Sequence, residues 1–246
     1  MKNLIRISML IAVLFTVSCS PKQSNIDEVV DGILNVYGEK ALIEKIVDQK
    51  QIINVQDAQG NKLKCFYYYK RPNKLKIDIK TMDGTSIIKT VFNDKTGKHI
   101  IFNESRDMTK EEIEEYQVLV GSWIDRYSIY QKESFKYIKD IAEGADKFHV
   151  FEVTNQFGKK HKIYVNTKTG VVDMVDEVHI DVISMQATNR KIVTKSYKKY
   201  DQISYPEKVF VYTYNGNNNS NDKPMVMNLE KVLHNTGIDD SEFELN

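Results

Sequence analysis

Glu177, His179 and Asp181 are the residues whose types and spacing come nearest to a metal site. In an extended strand, residues two apart point to the same side, so these three side chains share one face. Carboxylate and imidazole groups both bind metal ions. The other face carries Val178, Ile180 and Val182. Because this alternation is typical of a strand with one solvated side, we interpret the polar trio as that side and predict no metal ion.

Other combinations that carry catalysis are absent from the sequence. It contains no glycine-rich phosphate loop, no Gly-x-Ser-x-Gly turn and no His-Glu-x-x-His helix. Cys65 stands in a strand-like run beside Leu63 and Tyr67, which favours a buried structural thiol over a nucleophile. We interpret four neighbouring carboxylates as the solvated face of a helix: Glu111, Glu112, Glu114 and Glu115. The sequence therefore predicts a protein that is not an enzyme and needs no cofactor.

The N-terminus predicts a different chemistry, the attachment of lipid to Cys19. Lys2 and Arg6 precede an apolar run over residues 7–17, and a small residue, Ser18, stands before the cysteine. These are the parts of a secretory signal, and the run is about half the ~20 residues that a membrane-spanning helix needs. The four residues ending at Cys19 resemble a bacterial lipobox, although the first is threonine instead of the usual leucine.

This interpretation divides the chain into a lipoprotein signal peptide (1–18), a lipidated cysteine with its tether (19–24) and a single domain (25–246). The alternative is an ordinary signal peptide that ends near a cysteine. Lipid on Cys19 anchors the protein to a membrane, since each buried CH₂ contributes about 0.8 kcal/mol. Ser20 rather than aspartate follows the cysteine. Under the enteric sorting rule, this favours the outer membrane, on its periplasmic side, over the inner membrane.

Composition excludes other partners. The 246 residues include 35 basic and 34 acidic side chains, a net charge of +1. This balance favours neither a polyanion nor an anionic surface, so we predict no nucleic-acid partner. If Cys19 carries lipid, Cys65 is the one remaining thiol, and no internal disulfide can form.

The spacing of apolar residues predicts helices at the start and in the middle of the domain, with strands elsewhere. Residues 25–47 have helical spacing that Gly38 interrupts, and Thr109 with Glu112 forms a capping-box pattern at the start of a second helical region. From residue 51 the period is two, with Gly, Asp and Asn turns between short runs. We predict an α+β, mostly β domain with about ten strands in one antiparallel sheet, which must curl to bury one face.

Many of these segments, in this order, resemble the LolA/LolB-like superfamily of bacterial lipoprotein-localisation carriers. In the first half they are Lys70–Leu75, Asp83-Gly84, Asn93-Asp94 and Ile101-Phe102-Asn103. In the second half they are Phe148–Val153, Gly158, Ile163–Asn166, Lys168–Val172, Tyr200-Asp201, Tyr205–Glu207 and Asn235–Phe243. The similarity covers most of residues 25–246. Ile77 and Ile101 stand where the family commonly has tryptophan.

The resemblance implies an open half-barrel with helices packed on its concave side, where acyl chains of lipoproteins or other lipids bind. The side chains expected to line this cavity are Leu63, Tyr67, Leu75, Ile77, Ile79, Trp123, Phe148, Val150, Ile163 and Val165. Strand alternation leaves the choice of inward face open on each strand. The resemblance also implies other lipoproteins as partners, in transport to the outer membrane. The alternative is a structural or interaction lipoprotein whose sheet is filled by its own side chains and which binds a protein partner.

Overall fold

The computed structural model describes residues 23–125, 131–214 and 223–245, and these are mostly β. One antiparallel sheet contains 13 strands. They are β1 (Asp48–Gln56), β2 (Lys62–Lys70), β3 (Lys74–Thr81), β4 (Ser86–Asn93), β5 (Thr96–Ile101), β6 (Glu104–Asp107), β7 (Phe135–Glu143), β8 (Asp146–Thr154), β9 (Lys160–Asn166), β10 (Val172–Ile180), β11 (Ala187–Tyr200), β12 (Ile203–Tyr214) and β13 (Met225–His234). The helices are α1 (Gln23–Asn35), α2 (Lys40–Glu44) and α3 (Lys110–Asp125). Within the described ranges, no helix has the length and apolar character needed to span a bilayer.

The expected number of about ten strands was too low, and two strands that the apolar pattern missed are the edges of the sheet. β6 is the four-residue sequence Glu-Ser-Arg-Asp, and most of β7 is exposed. Edge strands are commonly short and charged, because these features prevent pairing with another chain. A prediction of strands from apolar residues therefore misses the edge strands, because these bury the fewest apolar side chains.

The sheet is open but strongly curled. The strand order is β6-β5-β4-β3-β2-β1-β13-β12-β11-β10-β9-β8-β7, and β6 and β7 do not pair with each other. Arg106 on β6 nevertheless donates a hydrogen bond over 2.9 Å to the carbonyl of Val182, which follows β10. In a flat sheet these strands would lie about 43 Å apart, at about 4.8 Å per strand. One side chain spans that gap only because the sheet curls back.

The two ends of the strands form two rims. Since all neighbours are antiparallel, successive turns alternate between the ends of the sheet. We call the end with the β1–β2, β3–β4, β5–β6, β8–β9 and β10–β11 turns the upper rim. The opposite end, with the β2–β3, β4–β5, β7–β8, β9–β10 and β11–β12 turns, is the lower rim.

Helices α1 and α3 pack on different parts of the sheet. Tyr116 and Val120 of α3 share a core cluster with strands β1–β4, β12 and β13. Val30 and Ile33 of α1 share a second cluster with strands β7–β10. We call the face that contacts these helices the inner face. The α3 region and the α1 region below denote the two clusters with their helices.

The predicted capping box at the start of α3 is confirmed. The amide of Glu112 donates to Thr109 Oγ1 over 3.2 Å, and Glu112 Oε2 accepts from the amide of Thr109 over 2.8 Å. Each partner satisfies an amide that lacks an intrahelical acceptor. This fixes the first turn of α3 and the direction of the Glu112 side chain.

The C-terminal segment crosses the outer face of the α3 region. Phe243 is completely buried there against Val91 and Ile238. Asp240 bonds to Lys70 at 2.8 Å and to Lys74 at 3.0 Å. The outer face of these strands is therefore covered by an acidic segment with one aromatic anchor.

Candidate functional site

Five of the predicted cavity residues lie on β2 and β3 and share the inner face: Leu63, Tyr67, Leu75, Ile77 and Ile79. Tyr67 lies opposite Ile77 in the register, so residues two apart along each strand stay on this side. Tyr67 and Leu75 are completely buried. Leu63, Ile77 and Ile79 are partly exposed and pack at the border of the same cluster.

Burial on this face decreases from the lower rim to the upper rim. Leu75 and Tyr69, near the lower rim, are buried. Near the upper rim, Leu63 and Met227 are partly exposed on either side of Val55. The other partly exposed apolar side chains on this cluster include Ile113, Leu119 and Met225. The inner face of the α3 region is thus closed below and opens as apolar surface toward the upper rim.

The four predicted residues on β8 and β9 do not share a face. Ile163 and Val165 are buried in the α1 region, as are Phe151 and its neighbours. Phe148 and Val150 lie on the opposite face, because Phe151 is the residue that pairs with Ile163. The placement of these two on the inner face was therefore wrong. Both faces of β8 carry buried apolar residues, so alternation did not identify the inward side.

Two further predictions fall on parts of the chain that the structure does not describe. Cys19 and the predicted signal peptide lie outside the described residues. The side chain of Trp123 lies outside them as well, although its backbone belongs to α3.

A groove of about 380 Å³ lies between α1 and strands β7–β9. Ile26 and Val29 form its helix side, and Phe151 and Val165 form part of its floor. Gly32 also lines it, and a Cβ at this position would meet nothing within 4 Å. Its remaining border is polar and includes Glu28, His149, Asn166 and Thr167. An apolar floor with a polar border suits an amphipathic ligand.

A buried ion pair between Arg106 on β6 and Glu112 on α3, called the clasp below, holds α3 to the sheet. The two terminal guanidinium nitrogens of Arg106 donate to Glu112, over 2.8 and 2.6 Å, and the Glu112 side chain is 2% exposed. Burial raises the pKa of the Glu112 carboxyl, but the hydrogen bonds from Arg106 and the Thr109 amide outweigh it and lower the pKa overall. The carboxylate is therefore ionised at neutral pH.

His99 completes this clasp from β5. Its Nδ1 lies 2.9 Å from Thr90 Oγ1, and its Nε2 lies 3.4 Å from Glu112 Oε1, outside hydrogen-bond geometry. Burial lowers the pKa of His99 to about 4, against the attraction of Glu112. The imidazole is neutral at neutral pH, so its contribution is polar packing against Glu112.

A second polar contact fastens α3 to β10 and corrects two interpretations. His179 Nδ1 bonds to Glu115, and Glu115 Oε2 also accepts from the amide of Ile180 over 3.2 Å. His179 therefore faces α3, whereas Val178 is 61% exposed. The polar side of β10 is the covered one. Glu112 and Glu115 are likewise contacts of the helix with the sheet instead of part of a solvated face.

Glu177, His179 and Asp181, the three residues whose spacing comes nearest to a metal site, bond to separate partners. Glu177 accepts from Arg190 over 2.6 Å, and Asp181 Oδ1 accepts from the amide of Ser184 over 2.7 Å. No group of metal-ligating side chains forms among the described residues.

A buried polar chain that sequence patterns did not reveal runs from the inner face to the surface. Gln51 donates to Gln49 over 2.8 Å, and Gln49 donates to the Tyr205 hydroxyl. That hydroxyl lies 2.7 Å from His234 Nε2, and His234 Nδ1 lies 2.8 Å from Asp201. Each group satisfies the next, so the chain is a structural device at the closed end of the inner face.

Cys65 is buried on the inner face, and burial raises the pKa of its thiol to about 12. A protonated, inaccessible thiol is a poor nucleophile, in agreement with the structural role inferred from the sequence. What the inner face offers is therefore partly open apolar surface.

No protein-family model matches the sequence, and no curated protein is significantly similar to it. Among solved structures, the LolA superfamily protein NE2245 from Nitrosomonas europaea is 9% identical, with a TM-score of 0.53 over 90% of this chain and 96% of its own. A DUF1329 family protein from Desulfovibrio piger is 12% identical, with a TM-score of 0.51 over 89% of this chain and 97% of its own. The Mycobacterium tuberculosis lipoprotein LppX is 6% identical, with a TM-score of 0.32 over 88% and 98%. The first two likenesses are of fold.

Proposed function

We propose, from the premise that this chain has the fold of the LolA superfamily, that it is a lipid-anchored envelope protein that binds acyl chains on its inner face. In this proposal the chain is cut before Cys19, lipid on that cysteine anchors it, and Ser20 directs it to the periplasmic side of the outer membrane. The ligand is a lipid or the acyl chains of another lipoprotein on its way to that membrane.

The observation that carries the proposal is apolar surface on the inner face that the protein leaves partly open. Leu63, Ile77 and Ile79 are partly exposed within a core cluster. The groove under α1 offers a second apolar surface over Phe151 and Val165, and it reaches the β9–β10 turn of the lower rim. Burying apolar area yields about 25 cal/mol per Å², so acyl chains are the ligands that such surface favours. The helices act as covers over the concave side of the half-barrel.

One observation favours the second candidate, an interaction lipoprotein with a filled sheet. Tyr67 and Leu75 are completely buried beneath α3. The lower part of the α3 region is therefore packed by the protein itself. This candidate predicts no bound lipid and a protein partner instead.

Native mass spectrometry of the chain from Ser20 onward separates the two candidates. Every described contact lies within residues 23–245, so this chain retains all of them. We expect extra mass, extractable as phospholipid or fatty acid, that Ile79→Glu and Gly32→Leu each reduce. The matched control is Ile138→Glu, at a 41% exposed position on the edge strand β7. A clean apo mass, with no uptake of added lipid, would favour the interaction protein.

Lipidation is tested separately on the full chain expressed in a bacterial host. We expect the mature N-terminal peptide to begin at Cys19 with acyl chains attached, and Cys19→Ser to leave the precursor uncut. A mature protein that begins at another residue without lipid would contradict the anchor without touching the cavity.

A further inference from the structure

We infer that the upper rim is a membrane-docking surface whose partner is the interface of a lipid bilayer. This inference deepens the proposed function and rests on it, because it names the surface from which the acyl ligand enters. Its basis is the position of the exposed apolar side chains, the backbone conformation of two of them, and the side on which the inner face opens.

Exposed large apolar side chains gather at one end of the sheet. Of the eight among the described residues, six lie on the turns of the upper rim or at the end of a strand leading to it. These six are Met82, Phe102, Phe157, Val178, Ile183 and Met185. The other two, Val47 and Ile138, lie before β1 at the lower rim and on β7. Scattered exposed apolar residues are ordinary, but their collection on one rim marks an interaction surface.

Two of these residues adopt a backbone conformation that disfavours them. Phe102 has φ 49° and Met185 has φ 56°, in the left-handed region that suits Gly, Asn or Asp. Both side chains are more than half exposed, so packing within the protein does not offset the cost. Bulky apolar residues at strained, solvent-facing turn positions indicate selection for an external contact.

The arrangement of the six exposed apolar side chains favours a bilayer over a protein partner. They project from separate hairpins around a curled rim, and polar residues such as Asp83 and Ser184 stand between them. Separate exposed apolar side chains suit the interface of a fluid bilayer, because each side chain can insert into it independently.

The same rim is the end toward which the inner face of the α3 region opens. Leu63 and Met227 become partly exposed there, whereas the lower end is closed by Leu75 and Tyr69. Docking of the upper rim therefore sets the open end of the apolar surface in the α3 region against the bilayer. An acyl chain then moves between membrane and protein without crossing water.

The test is flotation of the chain from Ser20, which has no lipid anchor, with phosphatidylcholine vesicles. The rim variant is Phe102→Asn, Ile183→Ser and Met185→Asn combined. Asparagine tolerates a positive φ, so this variant should melt at the same temperature as the parent or higher. We expect its partition coefficient to fall at least about tenfold, because binding scales with buried apolar area. The control, Val47→Ser with Ile138→Ser, should stay within about twofold for the same reason.

Three outcomes overturn the inference: no flotation of the parent chain, an equal loss in the control, or concentration-dependent self-association of the parent that the rim variant abolishes. The last would make the rim an interface between copies of this chain. Failure of the proposed function is distinguishable, because it appears as a clean apo mass in native mass spectrometry while vesicle binding persists. Conversely, bound lipid without vesicle binding overturns the rim inference alone.

Discussion

In both the α3 region and the α1 region a helix packs on the β-sheet, but different contacts hold it there. Helix α3 is held by the Arg106–Glu112 clasp, by Glu115 on β10 and by Tyr116, whose ring lies 5.8 Å from that of His99. Helix α1 is held mainly by apolar Val30 and Ile33. The first set of contacts is both directional and buried, whereas the second is buried but not directional.

The contacts of the two helices determine where the fold can admit a ligand. Buried charged contacts fix one arrangement, since breaking them leaves an unpaired charge in the interior. Apolar contacts can slide or separate at a cost that an apolar ligand repays. The groove of about 380 Å³ under α1, against the filled lower part of the α3 region, fits this division. We therefore expect α3 to be a fixed part of the wall and α1 the more adaptable cover.

The largest expected effect comes from breaking the clasp. Glu112→Ala removes the carboxylate that Arg106 bonds to and that His99 packs against, together with half of the capping box. We expect the free energy of unfolding in urea to fall by about 4 kcal/mol, as for other buried pairs that lose one member. The matched control is Glu111→Ala, an exposed neighbour, which should change it by less than about 0.5 kcal/mol. A loss for Glu112→Ala as small as the loss for Glu111→Ala would show that α3 is held by its apolar side alone.

The next effect is a dependence of stability on pH that belongs to the α3 region. Burial lowers the pKa of His99 from 6.5 to about 4, so the folded state binds fewer protons than the unfolded state. Its contribution is complete above pH 6.5 and is lost as pH falls toward 4. We expect unfolding to cost about 2.5 kcal/mol less at pH 4.5 than at pH 7 from this residue. Glu112, with a lowered pKa, loses its contribution only at lower pH.

Urea titrations at several pH values measure this dependence. His99→Gln should flatten it between pH 7 and 4.5. An unchanged slope in the His99 variant would mean that another group titrates in this range.

Much of the fold could be predicted because its signals are local. The turns of the first meander follow Gly, Asp and Asn residues, and the capping box at Thr109 marks the start of α3. The inner face of β2 and β3 followed from alternation, because their outer faces carry lysines such as Lys64 and Lys76. Where one face of a strand is solvated and the other is buried, the alternation of polar and apolar residues identifies the buried face.

The rest could not be predicted because it depends on contacts between distant residues. Glu115 and His179 are 64 residues apart, and their contact reverses the expected faces of β10. On β8 both faces carry buried apolar residues, so the sequence did not show whether Phe148 or Phe151 points inward. The groove also had no signal, since Gly32 resembles any helical glycine until its empty surroundings are known.

The smallest expected effect is also the most direct comparison of the two regions, because each contains a glycine that alanine can replace. A Cβ at Gly97 on β5 would lie 2.2 Å from Sδ of Met108, whereas one at Gly32 on α1 would meet nothing within 4 Å. We expect Gly97→Ala to lower the free energy of unfolding by roughly 1–3 kcal/mol through overpacking. Gly32→Ala should raise it by about 0.5–1 kcal/mol, since alanine loses less backbone entropy in a helix. Chemical denaturation of both variants measures the pair. Destabilisation by Gly32→Ala would mean that α1 lies closer to the sheet than the groove implies, and the distinction between a fixed wall and an adaptable cover would then fail.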